Sequence, residues 1–174
     1  MHSWEESISK EWVFKIPELS VCFLAFFLNF FWEVVHTYFY TLKDSAFDTM
    51  LSGWFHCTLG DVMITVGSFG LVSLMSFNRK WFLSLNRVNF IGFIMIGLVY
   101  TFFSEWANIQ IFKSWSYNES MPIIPWTRVG LTPVLQWIVI PAVVILLMRH
   151  YFSLRQDGAK GNGRKGKLNV SDTL

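Results

Sequence analysis

Four apolar stretches, each about as long as a membrane-spanning helix, constrain this chain more than any other feature. They cover residues 17–41, 56–77, 87–107 and 131–151, and a helix that crosses a bilayer needs roughly 20 residues. Apolar residues make up 53% of the 174 residues and aromatic residues 18%, which exceeds the usual content of a soluble domain. The sequence therefore predicts an all-α fold: a single polytopic membrane domain, residues 1–155, containing a bundle of four transmembrane helices.

The two ends of the chain differ from this apolar domain. The first sixteen residues mix charges with Trp4, Ile8 and Trp12 and lack the cationic start, apolar centre and cleavage site of a signal peptide. We expect an N-terminal interfacial helix there. Residues 156–174 are rich in Gly and Lys, a composition that predicts a disordered basic tail.

The positions of the basic residues predict how the domain lies in the membrane. The loop between the second and third stretches contains Arg79, Lys80 and Arg87, and six further basic residues, from Arg149 to Lys167, lie at the end of the last stretch and in the tail. Because loops rich in Lys and Arg stay inside, this loop, the tail and both termini are predicted to be cytoplasmic. We expect an integral protein of a bacterial inner membrane with lipids as its surroundings. The net charge of +2 comes from these flanking residues and does not indicate a nucleic-acid partner.

The first stretch carries an amide, a carboxyl group and an imidazole in its apolar sequence. Asn29, Glu33 and His36 stand at i, i+4 and i+7, so they share one face of a helix. A charged group at membrane depth is costly, and such groups usually face a bundle interior or a water-filled cavity and have a function. Glu33 is therefore the first candidate for a functional residue.

Polar groups of the other three stretches fall near the same side of the membrane. They are His56 and Asp61 in the second, Glu105 and Asn108 in the third, and Gln136 in the fourth. Since the helices alternate in direction, all these positions belong to the outer half of the bilayer. The pattern predicts a polar pocket that opens outward, covered by the aromatic- and proline-containing loop 108–130.

Such a pocket suits acid–base chemistry on a lipophilic, isoprenoid-like molecule that enters from the bilayer. Protonating an alkene requires a buried carboxylic acid, a second group that takes a proton back, and aromatic faces that stabilise a cation. The candidate acids and bases are Glu33, Asp61 and Glu105. The candidate substrate-binding residues are Asn29, Trp32, His36, Trp54, Tyr100, Trp106, Asn108, Tyr117 and Gln136.

Short motifs in this set resemble known membrane proteins. Asn29-Phe-Phe-Trp32-Glu33 and Trp54-Phe-His-Cys-Thr-Leu-Gly-Asp61 resemble the Trp-Glu and Asp elements of integral-membrane terpene cyclases, and Ser104-Glu105-Trp106 with Trp115-Ser-Tyr117 looks like segments of membrane lycopene cyclases. Residues 29–140 also resemble a set of small bacterial polytopic membrane proteins whose function is uncharacterised. The resemblance to the cyclases implies a terpenoid cyclase or isomerase activity. The cyclases usually have more than four spans, and Thr132-Pro133-Val134-Leu135-Gln136 lacks the carboxyl groups that follow a proline in the lycopene enzymes.

Two alternatives remain open from the sequence. In the first, Glu33, His36, His56, Asp61 and Glu105 bind a metal, since Glu33-x-x-His36 has the spacing of di-iron helix bundles. A second Glu-x-x-His is absent from the sequence, and haem bound by His36 and His56 is a weaker variant. In the second alternative, the protein is a non-catalytic subunit or small transporter whose polar groups form hydrogen bonds between helices. The cofactor, a partner membrane protein and homo-oligomerisation are left open.

The predicted topology has a direct test with reporter fusions. We expect green fluorescent protein fused to the C-terminus to fluoresce and alkaline phosphatase at the same site to be inactive, because both remain in the cytoplasm. Phosphatase fused after residue 118, in the loop predicted to be outside, is expected to be active. The reverse pattern of activities would contradict the orientation.

Overall fold

The computed structural model describes residues 16–171, with side chains except those of Lys43, Asp44 and residues 156–171. Within this range the chain is helical, and no strand is formed apart from two isolated bridges. The interfacial helix predicted at the N-terminus falls outside the described residues.

Four helices in this range are long and apolar enough to cross a membrane, as the sequence predicts. We name the helices in chain order: α1 Pro17–His36, α2 Phe47–Met75, α3 Trp81–Ser84, α4 Arg87–Ala107 and α5 Leu131–Ser171. A 3-10 turn, Thr37–Phe39, extends α1, and a π-helical turn, Asn108–Phe112, extends α4. The segment of α5 that could span a membrane ends at Arg155.

Three of the four spanning helices begin where the apolar stretches begin, and one does not. Helix α1 begins at Pro17, where the missing N–H of proline costs nothing, and α4 begins after Asn86, whose side chain accepts a hydrogen bond from the Val88 N–H. Helix α2 begins at Phe47, nine residues before the predicted start. Its first turn contains Asp48, which favours a helix N-terminus electrostatically but lies outside the apolar stretch from which the start of this helix was predicted.

The last helix continues into the tail. Its backbone remains helical through residues 156–171, the segment for which the composition predicts disorder. The side chains of this segment are not described, and disorder of the tail stays a prediction.

The spanning helices form a closed ring of four. Helix α1 packs against α2 and α5, and α4 packs against the same two helices. Antiparallel neighbours joined by short connections are typical of helix bundles. The centre of the bundle is thus enclosed on four sides, and its two ends differ in content.

One end of the bundle is filled with aromatic rings. Phe69, Trp81, Phe82 and Phe93 are completely buried, and the Phe69 and Trp81 ring centres lie 5.5 Å apart. Trp81 and Phe82 belong to the short helix α3, in a loop that the sequence presents only as a basic connection. Packing of such rings closes this end of the bundle.

A close helix approach occurs at Gly97, where α4 meets α5. A Cβ atom at this position would overlap the ring of Trp137. The helix α2 glycines at positions 60, 67 and 70, whose spacing favours close packing, have no atom within 4 Å of such a Cβ. The close helix contact through a small residue is therefore made at Gly97 and not at positions 60, 67 and 70.

Gly97→Ala is expected to lower the free energy of unfolding by about 1–3 kcal/mol, the usual cost of overpacking. The matched control is Gly92→Ala in the same helix, where the nearest atom, Cγ2 of Val72, lies 4.0 Å from the added carbon. Thermal unfolding in mild detergent would compare both variants with the unchanged protein. Equal stability of the two variants would contradict the close contact with Trp137.

Candidate functional site

The other end of the bundle holds a cavity of about 670 Å³. It lies between the end of α1, the first half of α2, the end of α4 and the start of α5, with Ser114 and Trp115 of the following loop in its wall. Of the predicted site residues, nine line it: Glu33, His36, Trp54, His56, Asp61, Tyr100, Glu105, Asn108 and Gln136.

The side-chain amide of Gln136 connects three helices at the cavity wall. Its Nε2 donates to Oδ2 of Asp61 at 2.8 Å, to Oδ1 of Asn29 at 2.9 Å and to Oε1 of Glu33 at 3.3 Å. Asn29 and Glu33 are on α1 and Asp61 is on α2. An amide nitrogen has two hydrogens, so the third and longest contact, to Glu33, is the weakest. The structure thus makes Glu33 and Asp61 neighbours.

Helix geometry places these groups together. The backbone carbonyl of Ala25 accepts a hydrogen bond from Nδ2 of Asn29 at 2.8 Å, which turns the Asn29 carbonyl oxygen towards Gln136. Asn29 is 3% exposed and Gln136 4% exposed, while Glu33 and Asp61 are half-buried. The two amides form the buried floor of the network, and the two carboxyl groups are its accessible part.

Glu105 forms a second polar cluster on the opposite helix. Its Oε1 accepts hydrogen bonds from the Tyr117 hydroxyl at 2.6 Å, the Tyr40 hydroxyl at 2.9 Å and the Trp115 indole N–H at 3.2 Å. Glu105 is buried yet belongs to the cavity wall. All three recorded bonds end on one oxygen, so Oε2 is the part of the carboxyl group that can accept from a ligand.

The two tyrosines of this cluster act as hydrogen-bond donors. Burial, followed by the nearby Glu105 charge, raises the pKa of Tyr40 well above its ordinary value. The same two causes raise the pKa of Tyr117. Both hydroxyl groups are therefore protonated at neutral pH. The Tyr117 oxygen also accepts from the backbone N–H of Gly130 at 2.9 Å.

The loop after α4 is fixed over this cluster by pairing with the segment after α1. An isolated bridge joins Tyr40 and Tyr117, and the Thr41 N–H donates to the carbonyl of Ser116 at 3.1 Å. The Asn118 N–H donates to the carbonyl of Phe39 at 3.0 Å. The aromatic loop expected to cover the pocket therefore contributes directly to its wall.

His36 bonds a residue of α5 and none of the carboxyl groups. Its Nε2 lies 2.5 Å from the hydroxyl oxygen of Thr132, and the Thr132 hydroxyl donates to the sulfur of Met121 at 3.1 Å. The Nδ1 atom of His36 is buried and has no hydrogen-bond partner. His56, in contrast, is exposed in the cavity wall.

Four predicted residues stand apart from the cavity surface. Asn29 and Tyr117 lie behind it and act through Gln136 and Glu105. Trp32 and Trp106 are not among the lining residues, and Trp106 is 41% exposed, as expected for a ring in contact with lipid.

Three residues join the site without a clear signal in the sequence. Trp115 donates to Glu105, and Thr132 fixes His36. Thr37 accepts a hydrogen bond from the Trp54 indole N–H at 2.5 Å and donates to the carbonyl of Glu33 at 2.8 Å. The aromatic richness of loop 108–130 could have pointed to Trp115, whereas two threonines in apolar helices could not be identified.

A metal site is not formed by the side chains as they are arranged. Among the side chains that the structure describes, no group of three or more His, Cys, Asp and Glu residues is close enough to hold an ion. Glu33 and Asp61 share an amide donor, and His36 bonds a hydroxyl. The five proposed ligands therefore line one cavity without converging on one point.

The fold and the site define a class of protein: a polytopic integral membrane protein of four spanning helices with a polar cavity at one end of the bundle. Comparison of the chain with protein-family models, curated proteins and solved structures found no match.

Replacing Gln136 by leucine is expected to lower the free energy of unfolding by about 1–3 kcal/mol, because the buried oxygens of Asn29 and Asp61 lose their donor. Gln110→Leu is the matched control, since Oε1 of Gln110 has only a 3.5 Å contact with Arg128. Thermal unfolding in mild detergent measures both. A Gln136→Leu protein as stable as the control would show that the amide does not hold the helices together.

Proposed function

We propose that the protein is a membrane enzyme that binds a lipophilic, isoprenoid-like molecule in the cavity and transfers protons to and from it. Glu33 and Asp61 serve as acid and base, and Glu105 supports them. One observation carries the proposal: two carboxyl groups from different helices contact a single amide nitrogen and both line the same cavity.

The proximity of the two carboxyl groups supports acid–base work. Two adjacent carboxylates repel each other strongly when both are charged in a medium of low dielectric constant, and the proton that they share belongs to the pair. Such a pair offers an acid and a base at the same time. The acid adds a proton to an alkene carbon, and the carboxylate removes a proton from a neighbouring carbon. The product is an isomer or a cyclised form with the same composition as the substrate.

Aromatic side chains support the same chemistry. Tyr40, Trp54, Tyr100 and Trp115 are among the lining residues. The faces of aromatic rings attract a positive charge, so they favour a cationic intermediate between the two proton transfers. The resemblance to membrane terpene cyclases agrees with this proposal, and the positive-inside assignment makes the cavity open outward.

A purely structural role for the polar groups explains the Gln136 hydrogen bonds but does not explain why Glu33 faces a cavity. Interhelical hydrogen bonds are a common use of polar residues in membrane helices, and the Gln136 amide does connect three helices. A structural network would satisfy its oxygens within the protein, however. The Glu33 oxygen has only the longest of the three contacts and faces a cavity that a structural network does not need.

The enzyme activity can be tested by proton exchange in D₂O. The purified protein, in lipid nanodiscs, is incubated with prenyl alkenes, and products are extracted for mass spectrometry. Protonation at carbon is expected to leave carbon-bound deuterium in an isomeric product. Glu33→Gln and Asp61→Asn should each lower the rate by about 10²-fold or more, the usual contribution of general acid–base catalysis.

The matched control is Glu119→Gln, which removes an exposed carboxyl group of the loop after α4 and should keep the full rate. Thermal unfolding of each variant separates loss of activity from loss of fold. The proposal is wrong if no substrate gains carbon-bound deuterium above a protein-free blank, or if folded Glu33→Gln retains the rate.

A further inference from the structure

The charged groups of the cavity wall are unbalanced. Three carboxyl groups, those of Glu33, Asp61 and Glu105, belong to it, and among the described lining residues there is no lysine or arginine. The indole N–H groups of Trp54 and Trp115 and the amide of Gln136 already donate within the protein. The serine, threonine and tyrosine hydroxyl groups of the wall can donate or accept. A ligand with a negative charge would therefore meet carboxyl groups and no lysine or arginine in this wall.

His36 adds a ring nitrogen without a partner to the same wall. The Thr132 hydroxyl oxygen contacts both Nε2 of His36 and the sulfur of Met121, and it has a single hydrogen. In the tautomer that we take here, that hydrogen lies towards the sulfur, Nε2 of His36 carries the ring proton, and Nδ1 carries a lone pair. His36 is 4% exposed, and its Nδ1 has no partner. A buried acceptor of this kind, in a residue of the cavity wall, is costly unless a ligand donates to it.

Tyr40 brings this acceptor next to Glu105. The ring of Tyr40 lies edge-on to the imidazole of His36, with 4.9 Å between ring centres, and its hydroxyl donates to Oε1 of Glu105. The indole of Trp115 contacts the same carboxyl oxygen. His36, Tyr40, Glu105 and Trp115 thus form one corner of the cavity, which we call the acceptor corner. It contains a carboxyl group, an imidazole lone pair and two aromatic rings.

We propose that the acceptor corner binds a protonated amine, so that the lipophilic ligand carries an ammonium head group. The head group donates one N–H to Oε2 of Glu105 and one to Nδ1 of His36, and its charge lies against the rings of Tyr40 and Trp115. The inference rests on the proposed function for a ligand in the cavity and adds the chemical class of its head. Glu33 and Asp61 are left free to act on the hydrocarbon part of the molecule.

The test compares three probes with one hydrocarbon tail: geranylamine, geraniol and geranyl phosphate. Isothermal titration uses the protein in phosphatidylcholine nanodiscs, and empty nanodiscs give the contribution of partitioning into lipid. Geranylamine is expected to bind about tenfold more tightly than geraniol, because hydrogen bonds to charged groups are the strongest of those available. Geranyl phosphate is expected not to exceed the blank.

Variants identify the corner as the origin of the preference. Glu105→Gln and His36→Phe should each weaken geranylamine binding by several-fold to tenfold and change geraniol binding by less than about threefold. Glu119→Gln, with its exposed carboxyl group outside the cavity wall, should change neither. Where a variant does not fold, as judged by thermal unfolding, the ranking of the three probes on the unchanged protein decides.

Geraniol or geranyl phosphate binding as tightly as geranylamine, or more tightly, would contradict the inference that the ligand has an ammonium head group. The deuterium experiment depends on Glu33 and Asp61 and would not be affected by that result. The same holds if folded Glu105→Gln keeps the full preference for the amine. If no probe binds above the blank and no deuterium is incorporated, the proposed function fails together with this inference.

Discussion

The hydrogen bonds of one amide group hold together the part of this protein in which chemistry can occur. Nε2 of Gln136 contacts oxygens of Asn29, Glu33 and Asp61, and so joins α5 to α1 and α2. In the hydrocarbon core of a bilayer there is no water to hydrogen-bond the polar groups of a helix, so each group needs a partner in the bundle. The amide meets this need for Asn29 and Asp61 and leaves Glu33 only partly satisfied. The least satisfied group of the network, Glu33, also lines the cavity.

The bundle separates a packed end from a hollow end. Phe69, Trp81, Phe82 and Phe93 fill the first with rings, and the ring of Trp137 fills the gap at Gly97. The second is kept open because its side chains are polar and held apart by bonds to separate partners, Gln136 on one side and the tyrosines on the other. A rigid packed end supports a defined geometry at the hollow one, as a functional site requires.

The loop after α4 is part of the site and not only a connection. The π-helical turn at Asn108–Phe112 ends at Lys113, which has a left-handed backbone with φ of 51°, and the chain then returns across the end of the bundle. Tyr117 links the loop to Glu105 and to Gly130. At the far side of the loop Trp126 is fully exposed, which suits a ring at the level of lipid head groups. The cavity wall and the membrane surface are thereby connected through one segment.

The sequence by itself determined the all-α membrane fold, since only the length and apolarity of four stretches are needed to predict four spanning helices. It also determined that Glu33, Asp61, Glu105 and Gln136 approach one end of the bundle, because alternating helix directions fix the depth of each residue. It could not determine which of them touch. Depth along a helix does not give the rotation of that helix about its axis, and the rotation is set by packing against neighbours, as at Gly97 and Trp137.

Tertiary structure alone decided the partners. It placed Gln136 between two carboxyl groups, gave Glu105 three donors from distant segments, and paired His36 with Thr132 and not with a carboxyl group. Thr132 had no signal of its own, since a hydroxyl in an apolar helix is common in membrane proteins. The start of α2 was also missed by the sequence analysis. Its first turn contains Asp48, whose negative charge is favourable at a helix N-terminus, and a count of apolar residues does not detect this effect.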